Sequence, residues 1–214
     1  CIAPDYLLVE NEIKEQLLAA LKTKIELAYP LSNTINENYV QIINDVHFQR
    51  LTSLIPTDRI YSGGEYNIEE RVIHPTILHN INFEDLIMKE EIFGPLLPVI
   101  SFDNLDDVIS KVKKKEKPLA LYVYSKNKKI INKILNEISF GGGAINESLV
   151  HLSNPNLPFG GVGASGIGSY HSKAGFDTFT HYKSILHKSF LFEPNIKYLP
   201  FTKLKKRILK MLLE

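Results

Sequence analysis

The stretch Leu96-Leu97-Pro98-Val99-Ile100-Ser101-Phe102 is a nearly continuous apolar run with the length of a buried β-strand. Asn104 follows it directly and is a residue type that commonly caps the start of a helix. Segments of alternating character then follow: helix 105–115, strand 119–124, helix 127–138 and strand 142–145. Apolar strands that alternate with helices are typical of a parallel sheet covered by helices on both faces. The sequence therefore predicts an α/β fold.

The chain before this region predicts one more strand and helix, followed by shorter elements. Residues 1–9 run into an apolar strand, and Asn11 is expected to cap a helix that ends before Pro30. The remaining predicted elements are a polar turn at 32–39, a helix at 46–54, a strand at 59–61 and a β-rich stretch at 72–81. Because Pro75 cannot donate to a strand ladder, it favours an edge position for the last of these. We interpret these short elements as excursions outside the core.

The chain after residue 145 loses regular periodicity. Residues 157–168 contain glycines at 160, 161, 163, 166 and 168, which predicts a loop with special backbone geometry. Residues 178–186 return to β character without a following helix. We expect a strand there, outside the parallel sheet, which would pair subunits of an oligomer.

Composition bounds the class of protein. The 214 residues are enough for one full α/β domain with an appendage. A formal net charge of +1 gives no global electrostatic reason to expect a nucleic-acid partner. A single cysteine excludes an intramolecular disulfide, and no run approaches the roughly 18 apolar residues of a membrane span. We therefore expect a cytoplasmic protein.

The segment Gly161-Val162-Gly163-Ala164-Ser165-Gly166 matches the GxGxxG pattern of dinucleotide-binding loops. That pattern has its meaning only after a strand, at the start of a helix, and with an acidic residue about 20 positions further on. Here Pro158 and Phe159 precede it, no helical periodicity follows, and Asp177 comes too early. The glycines are better interpreted as letting a loop pass close to a buried site.

Three other features of the sequence are candidates for a catalytic or binding role, and each also has an interpretation without such a role. The thiol of Cys1 is an apolar filler, an incidental thiol or a nucleophile. The segment Glu90–Pro95 is a solvated acidic turn, or a carboxylate and an aromatic ring that bind a ribose and a nicotinamide. The seven histidines leave open a Cys–His hydrolase, although no pair has convincing metal-ligand spacing and no metal site is predicted; they include His74, His151, His171 and His181.

Several segments together resemble one family, the aldehyde dehydrogenases, and within it the class 3, fatty-aldehyde branch. The segments are Cys1–Tyr6, Glu90–Pro95, Lys117–Val123, Ala144–Asn146 and Leu157–His171. The resemblance covers essentially the whole chain. Each motif is moderately specific, and their order and spacing make the set strongly specific.

The resemblance implies a role for each matching residue. Cys1 would be the nucleophile, Glu91 the ligand of the nicotinamide ribose, and Phe93 a contact of the nicotinamide ring. The substrate site would be lined by Asn146, Phe159, Gly160, Gly161 and His171. The implied reaction is oxidation of a medium- or long-chain or aromatic aldehyde to a carboxylic acid with NAD or NADP, through a thiohemiacetal and a thioester. A homodimer is also implied.

In this family the cofactor domain, an oxyanion-binding asparagine and a general-base glutamate all precede the cysteine, and this chain does not contain them. We therefore expect the isolated chain to be inactive. Loss of an oxyanion donor costs about 10² to 10³ in rate, and loss of a general base about 10² to 10⁴. Two alternatives stay open: a non-catalytic module for dimerisation or membrane docking, and a Cys–His acyl hydrolase.

On this basis the chain divides into a catalytic domain at 1–171, an oligomerisation segment at 172–190 and a basic amphipathic tail at 191–214. Within the tail, residues 200–214 carry Lys203, Lys205, Lys206, Arg207 and Lys210 among apolar residues. Such a helix packs on its own domain or on a partner subunit, or it docks on an anionic membrane surface at about 1 kcal/mol per basic residue.

Overall fold

The computed structural model describes residues 1–30 and 39–213, so most of the turn predicted at 32–39 lies outside the described residues. The strands are β1 Leu7–Glu10, β2 Ile60–Ser62, β3 Tyr66–Asn67, β4 Val72–Ile73, β5 Thr76–Leu78, β6 Leu96–Phe102, β7 Ala120–Val123 and β8 Gly142–Ile145. The α-helices are α1 Lys14–Ala28, α2 Asp45–Ser53, α3 Leu105–Lys113, α4 Lys128–Glu137, α5 Ser172–Thr178 and α6 Lys203–Leu213. Short 3₁₀ turns connect several of them.

The main sheet has four strands in the order β1-β6-β5-β2. β6 pairs in parallel with β1 and with β5, while β2 joins β5 in the antiparallel sense. The predicted α/β class is confirmed. However, β7 and β8 form a separate parallel ladder outside the main sheet. β3 and β4 form a third, antiparallel pair.

The stretch 72–81 belongs to the core, so its interpretation as an edge excursion is wrong. β5 lies between β6 and β2, and Pro75 stands just before the ladder, where its missing N–H does no harm. Ile77 and Leu78 are both fully buried and point to opposite faces of the sheet. Leu78 packs in the larger cluster with Leu51, and Ile77 packs in the smaller one with Leu18.

Asparagine side chains begin three of the helices. The Oδ1 atoms of Asn44, Asn104 and Asn127 accept backbone N–H groups in the first turns of α2, α3 and α4. Asn11 does not cap α1 as predicted. A 3₁₀ turn over Asn11–Ile13 comes first, and the Asn11 amide donates instead to Asp103 Oδ1 at 2.6 Å.

The described chain forms two compact units, Cys1–Phe179 and Thr180–Glu214. In the single chain no strand is assigned over 178–186: Thr178 ends α5, and residues 180–186 belong to none of the described strands, so the predicted strand pairing between subunits stays a prediction. A strand exists only through hydrogen bonds to a neighbour. The predicted C-terminal helix is α6. Among the described helices, none is both long and apolar enough to cross a bilayer.

Candidate active site around Cys1

The segments before β1 and before β6 meet at one end of the main sheet. Because β1 and β6 are parallel, with Leu7 opposite Val99, the residues that precede each strand emerge at the same side. Cys1 is exposed there. Its amino nitrogen lies 3.8 Å from Oε1 of Glu91. The structure thus brings the backbone end of Cys1, the predicted nucleophile, to the predicted ribose ligand, across 90 positions of sequence.

Asp5 joins these two segments directly. Its Oδ1 accepts the backbone N–H of Ile92 at 2.9 Å. Burial raises the pKa of the Asp5 carboxyl, and the nearby Glu91 carboxylate adds to the rise, while the N–H bonds from Ile92 and Phe93 act against it. The hydrogen bonds therefore offset only part of the cost of burying this carboxylate. Asp5 was not singled out from the sequence.

Phe93 lies in the same segment with an unusual backbone. Its φ is +53°, in the left-handed region that residues with a Cβ rarely occupy, and its side chain is 59% exposed. Beside it is a shallow surface hollow of about 600 Å³, lined by Ile43, Asn44, Val46, His47, Arg50 and Phe93. The exposed ring and the exposed carboxylate of Glu91 are groups that can pack on a planar ring and accept ribose hydroxyls.

Asn146 lies just after β8, where its side chain serves the backbone. Its Oδ1 accepts the N–H of Ser125 at 2.8 Å, and its Nδ2 donates to the Ser125 carbonyl at 3.0 Å. This amide therefore ties the end of β8 to the loop between β7 and α4. Its φ of +57° is one of several positive values on non-glycine residues around the site.

The loop that contains Phe159 is folded back on itself. Phe159 and Tyr170 exchange both backbone hydrogen bonds, at 3.0 and 2.9 Å. A Cβ on Gly160 would overlap the carbonyl of Gly168, and one on Gly161 would overlap the carbonyl of Ser165. The glycines are thus needed for the loop to approach its own backbone. No α-helix opens here, only a 3₁₀ turn at Gly163–Ser165, as expected for a false dinucleotide pattern.

His171 is held at the end of this loop. Its Nδ1 lies 2.9 Å from the Leu157 carbonyl, and because a carbonyl can only accept, Nδ1 carries the proton. The ring centroids of Tyr170 and His171 are 4.4 Å apart, and those of Phe159 and His171 are 6.1 Å apart. Phe159 and His171 therefore belong to one aromatic cluster.

A chain of rings links this loop to the cysteine segment. The hydroxyl of Tyr122 donates to the carbonyl of Ile2 at 2.7 Å. The ring centroids of Tyr122 and His151 are 5.6 Å apart, and those of His151 and Phe159 are 5.9 Å apart. Both ring nitrogens of His151 are buried and, among the described residues, have no hydrogen-bond partner. Sequence spacing gives no signal for Tyr122, and it leaves His151 as one of several histidines without an assigned role.

These elements define an α/β unit in which the exposed Cys1 has its amino group near the Glu91 carboxylate, and the neighbouring Ile2 is linked through Tyr122 and His151 to the glycine-rich loop. The chain matches the sequence profile of the aldehyde dehydrogenase family over residues 1–185, and it belongs to that family. It is 44% identical to 4,4'-diaponeurosporen-aldehyde dehydrogenase of Staphylococcus aureus over 203 residues. These residues are 94% of this chain and 44% of that protein.

Two mammalian relatives indicate the class 3 branch. The dimeric NADP-preferring aldehyde dehydrogenase of Rattus norvegicus is 44% identical over 193 residues, which are 90% of this chain and 43% of the relative. Aldehyde dehydrogenase family 3 member A2 of Mus musculus is 44% identical over 188 residues, which are 88% of this chain and 39% of the relative. The predicted resemblance to class 3 aldehyde dehydrogenases is confirmed.

The fold comparison agrees with the sequence comparison. The substrate-bound structure of Staphylococcus aureus AldH superposes with a TM-score of 0.91 at 43% identity, over all of this chain and 47% of that one. The chain spans less than half the length of the curated relatives it matches.

Proposed function

We propose that this chain is the catalytic half of a class 3 aldehyde dehydrogenase that oxidises an aldehyde to a carboxylic acid with NAD or NADP. The approach of the Cys1 amino group to Glu91, two residues before the exposed ring of Phe93, carries the proposal. An exposed cysteine at the same end of the sheet as an exposed carboxylate and an exposed ring fits a nucleophile that faces a bound nicotinamide nucleoside. Membership of the family supports the same assignment.

Cys1 performs the bond-forming step in this proposal. Its sulfur, as thiolate, adds to the aldehyde carbon, and the carbonyl oxygen becomes a negatively charged thiohemiacetal oxygen. NAD or NADP would supply the hydride-accepting chemistry, and loss of the hydride from that carbon would leave an acyl thioester on Cys1. Water then cleaves the thioester, so that the acid leaves and the thiol is restored. Glu91 would hold the ribose hydroxyls and Phe93 would bear against the nicotinamide ring.

The substrate is proposed to be a medium- or long-chain or aromatic aldehyde. Asn146, Phe159, Gly160, Gly161 and His171 would form the wall of its site. The neighbouring rings of Tyr122, His151 and Phe159 support this choice, because they offer aromatic surface near the cysteine segment. The relative from Staphylococcus aureus is named for a diaponeurosporen-aldehyde.

The proposal is tested by adding the upstream half of a relative to this chain. The upstream half of the Staphylococcus aureus relative is co-expressed with this chain, and NADH or NADPH formation from a fatty aldehyde is measured. We expect product with both halves and none with either half alone, because the family resemblance assigns the oxyanion-binding and general-base residues to the part of the relatives that precedes the cysteine.

Other outcomes identify the alternatives. Coenzyme reduction by this chain alone would contradict its inactivity. Thioester hydrolysis by the chain without nicotinamide would favour the Cys–His hydrolase, although among the described residues no histidine is hydrogen-bonded to Cys1. If the joined halves are both folded but reduce no coenzyme, the remaining alternative is the non-catalytic module for dimerisation or membrane docking.

We further propose that the protein is a homodimer. Large apolar side chains stand almost fully exposed around the segment predicted to pair subunits, among them Phe179, Leu186, Phe190 and Leu191. Exposed apolar surface of this kind marks an interaction site. The relative from Rattus norvegicus is named dimeric.

The tail is proposed to bring the protein to an anionic membrane surface. α6 carries five basic residues, and its apolar residues Leu204, Met211 and Leu212 are exposed. Basic and apolar residues on one short helix suit the interface of an anionic bilayer, where fatty aldehydes are dissolved. Packing of α6 on a partner subunit is the competing reading.

A flotation experiment separates these two readings. The chain and a version ending at residue 199 are mixed with vesicles that contain phosphatidylserine. We expect the chain to float with the vesicles and the truncated version to stay behind, with the difference shrinking at high salt because the attraction is screened. Vesicles of phosphatidylcholine alone are the control. Equal flotation of both versions would remove the membrane reading.

A further inference from the structure

The segment Glu90–Gly94, here named the cofactor loop, holds a backbone conformation that needs external support. Phe93 has a φ of +53°. A residue with a Cβ stays in this region only when its surroundings impose it. The side chain of Glu91 is 60% exposed and that of Phe93 is 59% exposed, so neither is held in place by packing in a core. The orientation of these two side chains must therefore be set by the conformation of the loop backbone.

Two side chains of helix α2 form hydrogen bonds with carbonyl groups of this loop. His47 Nε2 lies 2.8 Å from the carbonyl oxygen of Phe93, and Arg50 Nη2 donates to the carbonyl oxygen of Ile92. The Arg50 guanidinium also lies 3.7 Å from the carboxylate of Glu90. On the other side, Asp5 accepts the N–H of Ile92. The peptide groups around Ile92 are thus held from both sides.

The hydrogen bond to the loop determines which ring nitrogen of His47 carries the proton. Because the Phe93 carbonyl can only accept, Nε2 of His47 must carry the proton. Nδ1 is then the acceptor, and it lies 3.4 Å from Nε of Arg50. Arg50 therefore orients the imidazole that holds Phe93.

The helix itself is well placed to hold the loop. His47 and Arg50 are three residues apart and so lie on one face of α2. The backbone N–H of His47 is bound by the Asn44 cap at 2.8 Å. Phe48 and Leu51, on the same helix, are buried in the main core. α2 is thus a rigid support for both side chains.

We propose that His47 and Arg50 are positioning residues that hold the cofactor loop so that Glu91 and Phe93 present the nicotinamide nucleoside to Cys1. The inference rests on the proposed function and adds to it two residues that the reaction does not touch. The ring of His47 also meets the edge of Phe93 at a centroid distance of 6.5 Å, so the imidazole supports both the carbonyl and the ring of this residue.

The main test compares two substitutions of His47 in the enzyme made from the two halves. His47→Gln keeps a donor at nearly the position of Nε2, whereas His47→Phe keeps the ring and removes the donor. For His47→Phe we expect the KM for the coenzyme to rise about tenfold, which is the effect of one lost hydrogen bond. We also expect a larger isotope effect with aldehyde deuterated at the carbonyl carbon, because a misplaced ring slows hydride transfer. His47→Gln should stay close to the wild type.

Controls separate positioning from general damage. Arg71→Gln removes a guanidinium that pairs with Asp45 of α2 at 3.3 Å but does not contact the cofactor loop, and it should change neither value. Alkylation of Cys1 by iodoacetamide without coenzyme should keep its wild-type rate in every variant. Arg50→Gln should reproduce the effect of His47→Phe, which guards against a folding defect peculiar to one variant.

A second readout does not depend on activity. Hydrogen–deuterium exchange of the 91–94 amides, measured on the 214-residue chain alone, should speed up in His47→Phe and Arg50→Gln but not in Arg71→Gln. Unchanged exchange, or an active enzyme in which His47→Phe has wild-type KM and isotope effect, would overturn the positioning role alone. A wild-type pair of halves that reduces no coenzyme would instead overturn the proposed function, and the positioning role with it.

Discussion

Replacing Cys1 with serine is expected to lower aldehyde oxidation by the joined halves by at least about 10⁴-fold, as is typical when a catalytic nucleophile is removed. A thiol is partly ionised near neutral pH and is intrinsically very nucleophilic, whereas a serine hydroxyl needs a strong general base. A serine ester is also a less activated acyl group than a thioester. The measurement is the initial rate of NADH or NADPH formation at saturating aldehyde.

Two comparisons make this result specific. Ser110→Ala changes an exposed hydroxyl on α3 and should leave the rate unchanged. Because Cys1 is the only cysteine of this chain, iodoacetamide applied to the 214-residue chain alone should alkylate no other thiol and should leave Cys1→Ser without a labelled thiol. If Cys1→Ser kept more than about a tenth of the rate, the thiol would not be the nucleophile, since such a loss is far below that of a missing nucleophile.

The second large effect is expected in the core, where Ile77→Ala should lower the free energy of unfolding by about 2–5 kcal/mol. Ile77 is fully buried in β5 and packs with Val9, Leu18 and Val99. Truncation removes apolar contacts and leaves a cavity, because β5 is paired on both sides and cannot move inward freely. Urea denaturation of the 214-residue chain measures the change.

A graded series checks the cause. Ile77→Val removes one methylene and should cost about 0.5–1.5 kcal/mol. Ile167→Ala changes a fully exposed isoleucine and should stay within about 0.5 kcal/mol of zero. If Ile77→Ala were as mild as Ile167→Ala, β5 would be the peripheral excursion that the sequence suggested, and not a central strand.

The elements from β6 to β8 could be predicted because their signals are local. The apolar run of β6, the Asn104 cap of α3 and the Gly142–Ile145 strand each depend on residues that are neighbours in the sequence. The prediction for β5 is wrong because it rests on a local signal, the proline at position 75. Pro75 is a true breaker of strand ladders, but whether it falls inside a ladder or just before one depends on which strands pair, and pairing is not a local property.

The candidate site divides in the same way. Cys1, Glu91 and Phe93 were found through a family resemblance, whose motifs can be read along the chain. Asp5 and His47 were missed, because their partners in the cofactor loop are 87 and 46 residues away. No spacing rule connects such residues.

The sequence by itself determined the α/β class, the positions of most helices and strands, and the family. These follow from periodicity, capping residues and short motifs, which act between near neighbours. Only the tertiary structure decided that β5 is central, and that Asp5 and α2 grip the cofactor loop from two sides. The physical reason is that strand pairing and side-chain contacts join residues far apart in the sequence: β5 pairs with both β6 and β2, and the parallel pairing of β1 and β6 brings Asp5 to the loop.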